Sequence, residues 1–146
     1  MSGERQLRRF WRRRTPAQKI GVLATSATVV LGGGHQAAVA VSPPASAGNV
    51  ALGQQLAASY GWGAGAEWNC LDLLWSKESS WSNLADNSTS GAYGIPQALP
   101  PTKMPPAALP PENSATVQIR WGLGYIAGRY GTPCGAWSHE TADGWY

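Results

Sequence analysis

Residues 67–79, EWNCLDLLWSKES, decide how the rest of the chain is read. At 100° per residue, Trp68, Leu71, Leu74 and Trp75 fall on one face, the pattern of an amphipathic helix turned toward a core. Glu78 projects between Leu71 and Leu74, so a carboxylate stands within the apolar stripe. Removal from water disfavours the charged form of a carboxyl and lifts its pKa toward neutrality, which is how a glutamate becomes a proton donor near neutral pH. The plainer alternative is a helix that ends before Glu78 and turns the side chain to solvent.

The 146 residues amount to one domain, but their charge is uneven. Residues 1–47 carry +6 and the remainder carries −3, so the basic character belongs to the leader. The acidic remainder, with scattered cations, lacks the basic face of a nucleic-acid binder, and no nucleic acid is expected as a partner. Within the leader an arginine-rich start precedes an uncharged stretch, residues 20–31, and small-x-small sites at Ala38-Val39-Ala40 and Ala45-Ser46-Ala47. This is the layout of a secretory signal peptide, with cleavage expected after Ala47. An uncleaved anchor is the alternative, weakened by the Gly32-Gly33-Gly34-His35-Gln36 interruption, and the only membrane contact expected is through this segment. Arg13-Arg14 hints at twin-arginine export, but its surroundings fit poorly. The expected organisation is therefore a leader over 1–47 and a secreted or wall-located domain over 48–146.

Export makes sense of the cysteines. Cys70 and Cys134 are the only two, and in an oxidising compartment they are expected to form one disulfide. Closing a loop of about 65 residues stabilises by roughly 4 kcal/mol in the chain-entropy picture. No Cys-x-x-Cys is present and His139 is the single histidine beyond the leader, so no metal or other cofactor is expected.

A first helix is expected from Asn49, capped by that residue and stopped by Gly61 and Gly63, packing on the 67–79 helix. The following SSWSNLADNSTSGAYGIPQ loses helical period, and its Asn-Ser-Thr-Ser-Gly run suits a turn between two short strands. Six prolines between Pro100 and Pro111 predict an extended surface loop that either rims a cleft or acts as a spacer. Asn113 or Ser114 then caps a third helix through about Tyr130, with Val117, Trp121, Tyr125 and Ile126 expected inward. No period emerges in the tail, CGAWSHETADGWY. The fold class is mainly α (α+β), helices around a small hairpin or irregular lobe.

Seven tryptophans lie beyond the leader. Indole faces suit the apolar faces of sugar rings, so a polysaccharide ligand fits this excess. Trp68, Trp75 and Trp121 sit at core spacing, whereas Trp62, Trp81, Trp137 and Trp145 are open candidates for a ligand.

Three motifs follow in order: Glu78-Ser79-Ser80-Trp81 with Asn83, Ala85 and Asn87; Ser90-Gly91-Ala92 with Gly94-Ile95-Pro96-Gln97; and Gln118-Ile119-Arg120-Trp121-Gly122-Leu123-Gly124-Tyr125-Ile126. Together they resemble the catalytic domain of bacterial lytic transglycosylases of the soluble (SLT) type, and the whole mature chain is similar to short secreted transglycosylase or aggregation-promoting-factor-like proteins. The resemblance implies a lysozyme-like fold, a monomeric enzyme and peptidoglycan glycan strands as partner. It implies that Glu78 protonates the oxygen between N-acetylmuramic acid and N-acetylglucosamine, then takes the proton of the muramyl 6-hydroxyl as that group attacks C1 to give a 1,6-anhydro end. One carboxylate serves both steps, unlike the two-carboxylate glycosidases. By the same match Ser79, Gly94, Ile95 and Gln97 line the substrate and Tyr125 lies near the carboxylate. Ser79 merely capping the helix, and Gly94 merely serving a turn, are the alternatives.

Asp86 is the best second carboxylate, though turn chemistry explains it more simply. Many SLT domains end in an Ala-Tyr-Asn-Ala-Gly type of segment, and the nearest stretch here is Ala136-Trp137-Ser138-His139, so contacts made there do not transfer. The run from Asp86 to Gly91 imitates half of a calcium loop, but Gln97 stands where the final Glu belongs. A hydrolase of the same bond and a noncatalytic wall-binding or aggregation-promoting protein are the rival functions.

Overall fold

The computed structural model describes residues 45–146; residues 1–44 of the expected leader, with its signal or anchor segment, lie outside the described residues. Four α-helices make up most of this part: α1 (Ala45–Ala57), α2 (Gly65–Ser79), α3 (Ala115–Tyr130) and α4 (Pro133–Asp143). Short 3-10 turns follow α1 at Ala58–Tyr60 and interrupt the proline-rich segment at Pro101–Lys103 and Pro106–Ala108. Among the described residues no helix is long and apolar enough to cross a membrane.

α2 buries Leu71, Leu74, Trp75 and Glu78. The stripe read from the sequence is thus the inward face, and Glu78 stays on it at 7% exposure instead of turning to solvent. The helix closes through two successive left-handed residues, Ser80 (φ 52°) and Trp81 (φ 59°). Their N–H groups return to the carbonyls of Ser76 at 3.1 Å and Trp75 at 3.3 Å, satisfying the open helix end. The reversal brings the Trp81 indole back beneath the helix. There it meets Trp75 edge-on at 5.0 Å, lies 5.7 Å from Trp68, and donates its N–H to Asp72 Oδ1 at 2.8 Å. On α1, Gly53 faces this ring, and a Cβ at that position would collide with it.

Several expectations are corrected. Asn49 does not begin α1; the helix starts at Ala45 and Asn49 lies inside it, buried, with its amide donating to Trp81 O at 2.9 Å and Asn83 Oδ1 at 3.1 Å. The hairpin reduces to two isolated antiparallel bridges, Asp86 with Tyr93 and Tyr93 with Ala98. The Asn87 side chain explains this: it accepts from the N–H groups of Thr89 and Ser90, both at 3.1 Å, tightening the turn so that no ladder extends from it. Nor is the proline segment a spacer. Met104 and Ala108 are buried with Ala98 in a second small cluster, packed against Tyr93, Val117 and Trp121.

The inward face of α3 is also displaced from the expected one. Gln118, Ile119, Gly122, Leu123 and Ile126 are buried, while Val117, Trp121 and Tyr125 are half-buried on the neighbouring face. Ile126 alone among the four expected residues belongs to the main core. Gly122 decides the matter physically, because Trp75 packs where its side chain would stand: a Cβ there would lie 2.7 Å from the indole. The tail without visible period forms α4. Thr132 caps it by accepting from Gly135 N–H, Pro133 occupies its first turn, and Gly144 (φ 77°) ends it.

The Cys70–Cys134 disulfide is formed and joins α2 to α4. Beside it the Glu67 carboxylate accepts from Cys134 N–H at 2.9 Å, placing negative charge at the first turn of α4 where the helix dipole favours it.

Candidate functional site

Glu78 lies in the last turn of α2, just before the chain leaves helical geometry, and the 94–97 segment is tied to the helix end there. Ser79 makes that tie: its hydroxyl donates to Ile95 O at 2.8 Å. Gln118, fully buried on α3, completes it by accepting from Ile95 N–H at 2.9 Å while its amide donates to Asn83 O at 3.0 Å and Ala108 O at 2.8 Å. One amide therefore ties the loop after α2, the 94–97 segment and the proline segment to one point.

This arrangement assigns local causes to several expected site residues. Gly94 has φ 76°, and a Cβ there would stand 2.5 Å from Gln118 Oε1, so the glycine is required by the packed amide. Ile95 is fully buried in the main core, and its side chain has no open surface to offer a substrate. Gln97 (φ 49°) is 7% exposed; its amide donates to Gly94 O at 3.0 Å, and the residue lines an open pocket. That pocket is bounded by residues 96–99, by Lys103, and by the rings of Trp121, Tyr125 and Tyr146. Trp121 and Tyr125 are stacked, 5.4 Å apart and 10° from parallel, making one flat aromatic wall. The displaced face of α3 is thus the face that builds the pocket. Trp62, Trp81 and Trp145 are buried and unavailable to a ligand in this arrangement, and Trp137 is half-buried with Lys77 Nζ 5.8 Å above its ring.

Tyr146 connects the pocket to Glu78. Its hydroxyl accepts from Trp75 Nε1 at 2.8 Å and donates to Pro96 O at 2.9 Å, and its ring meets Tyr125 edge-on at 6.1 Å. Burial, and after it the charge of Glu78, push the Tyr146 phenol well above its ordinary pKa, so it serves as a neutral donor. Both Glu78 carboxyl oxygens expose less than 1 Å². The carboxyl is thus closed to bulk water, and it is not part of the pocket lining.

Two residues that sequence reasoning passed over belong here. Tyr146 enters only within the resemblance of the whole mature chain and is given no role, since no period ties a residue at that position to a helix 68 positions earlier. Glu140 did carry a signal: Thr132-Pro133 and Gly144 bracket a helix, and Ala136 and Glu140 are four apart on one face of it. Glu140 is 1% exposed, pairs with Lys77 Nζ at 2.7 Å, and is among the charges that raise the Tyr146 phenol. Asp86 lies exposed on its turn, outside the pocket lining. Among the described residues no group of three or more His, Cys, Asp or Glu gathers in a way that could hold a metal ion.

Comparison of the chain with protein-family models, with curated proteins and with solved structures finds no match.

Proposed function

We propose that the chain is a secreted, monomeric lytic transglycosylase of the soluble type, with a lysozyme-like fold, acting on the glycan strands of peptidoglycan. The observation that carries this reading is the Glu78 carboxyl, buried at the end of α2 and electrostatically coupled to a tyrosine that lines an aromatic pocket. Glu78 donates its proton to the oxygen between the muramyl and glucosaminyl rings as the C1–O bond breaks. The resulting carboxylate takes the proton of the muramyl 6-hydroxyl while that oxygen bonds to C1, closing the anhydro ring and restoring the acid. The exposed position of Asp86 outside the pocket argues against its acting as a base for water, and so against the hydrolase rival.

One observation favours a second reading, a noncatalytic glycan-binding or aggregation-promoting protein: the closed Glu78 carboxyl must be uncovered before it can touch a substrate oxygen. Digestion of peptidoglycan with wild type and Glu78→Gln, followed by mass spectrometry, separates the readings. Wild type yields anhydro-muramyl ends, and the variant, which keeps the shape but loses the proton, falls by about 10²- to 10⁴-fold. Exclusively reducing ends would overturn the transglycosylase in favour of the hydrolase. No cleavage by wild type, with binding retained, would leave the noncatalytic protein.

A further inference from the structure

Lys103 is the cation of the pocket, and its setting is built. The residue closes the 3-10 turn Pro101–Lys103, with its own N–H bonded to Pro100 O at 3.1 Å, and the next residue, Met104, is anchored in the second core cluster. Prolines at 100, 101 and 105 fix φ around it, so the backbone delivering the ammonium is stiff. Among the described residues Lys103 forms no ion pair with a carboxylate, whereas Lys77 is engaged by Glu140 and Arg129 lies over the Tyr130 and Trp145 rings. The stacked Trp121–Tyr125 wall and Gln97 line the same pocket as Lys103.

A flat aromatic wall receives the apolar face of a sugar ring, and an ammonium at the same pocket receives an anionic substituent on that ring. We infer that Lys103 and the Trp121–Tyr125 wall form a subsite for a sugar that carries a carboxylate substituent. This deepens the glycan reading and rests on it. In peptidoglycan the carboxylate comes from one of two sources, the lactyl ether of a muramyl ring without peptide or the acidic residues of an attached stem. The domain around the pocket is acidic overall, −3 over residues 48–146, so Lys103 selects locally against the surrounding field.

Calorimetric titration of the whole secreted domain tests this with three oligosaccharides of equal length: a neutral N-acetylglucosamine tetramer, a peptide-free tetramer alternating with N-acetylmuramic acid, and the same tetramer bearing peptide stems. Wild type is expected to bind one or both acidic tetramers about 2- to 5-fold more tightly than the neutral one, with the preference shrinking in high salt. Which acidic tetramer gains identifies the source of the carboxylate. Lys103→Met is expected to lower the acidic tetramers to the affinity of the neutral one; Lys103→Arg retains the preference; Trp121→Ala weakens all three ligands. The inference is overturned if wild type binds the three equally, or if Lys103→Met weakens neutral and acidic ligands alike. Either result with anhydro ends still produced leaves the transglycosylase reading standing, whereas no binding to any of the three overturns both.

Discussion

Gln118 holds three segments with one side chain, and all of its partners are backbone groups. Gln118→Leu fills the same space but leaves the Ile95 N–H and two carbonyls without their partner. At about 1–3 kcal/mol for each buried group left unsatisfied, a loss on the order of 3 kcal/mol or more is expected. Urea unfolding followed by fluorescence checks it, and a loss below about 1 kcal/mol would mean the loops find other partners. The tyrosines set the alkaline limit. The phenols of Tyr93, Tyr130 and Tyr146 are all raised above their ordinary value of 10.0, each by burial first. Raised phenols lose their protons more readily in the unfolded chain, so their contribution is whole below about pH 10 and falls as pH climbs through the folded values. Thermal melts should therefore decline above about pH 10. Because the Glu78 charge helps hold Tyr146 up, Glu78→Gln should lower the pH at which Tyr146 itself ionises, read from its own ring resonances by NMR; an unchanged midpoint would show that burial alone sets it.

At the scale of elements, α2 was legible because its apolar period holds along thirteen consecutive positions, whereas its closure through left-handed Ser80 and Trp81 carries no glycine or proline signal. α3 was legible in extent but not in orientation. Its sequence carries two apolar faces, one aliphatic around Ile119, Leu123 and Ile126 and one aromatic around Trp121 and Tyr125, and local pattern does not rank them. The choice belongs to packing: Gly122 lets Trp75 approach, which turns the aliphatic face inward and leaves the rings for the pocket. α4 was obscured by short length and a polar surface, although its capping residues were in view. The Lys77–Glu140 pair between α2 and α4 should respond asymmetrically. Lys77→Met removes the ammonium from a carboxylate that is 1% exposed and is expected to cost on the order of 3 kcal/mol. Glu140→Gln leaves an amine that is 44% exposed and turns to water, so about 1 kcal/mol is expected. Equal losses in chemical denaturation would show that burial of Glu140 does not govern the pair.

For the whole molecule, the disulfide closes a loop of 64 residues and joins the helix bearing Glu78 to the helix bearing Glu140. Replacing both cysteines by alanine should cost about 4 kcal/mol by chain entropy, a large share of the stability of so short a domain. Equal midpoints for the variant and wild type in guanidinium would contradict that. The tryptophans beneath α2 have another consequence. Trp68, Trp75 and Trp81 form a contiguous run of rings, and the Trp75 N–H ends on the Tyr146 hydroxyl. Indoles this near exchange excitation and share their ultraviolet transitions, so the folded chain should carry a strong coupled circular-dichroism band and a quenched emission. Any displacement of Tyr146 from the pocket changes the environment of the Trp75 N–H, and the protein's own colour in the ultraviolet becomes a gauge of where Tyr146 stands.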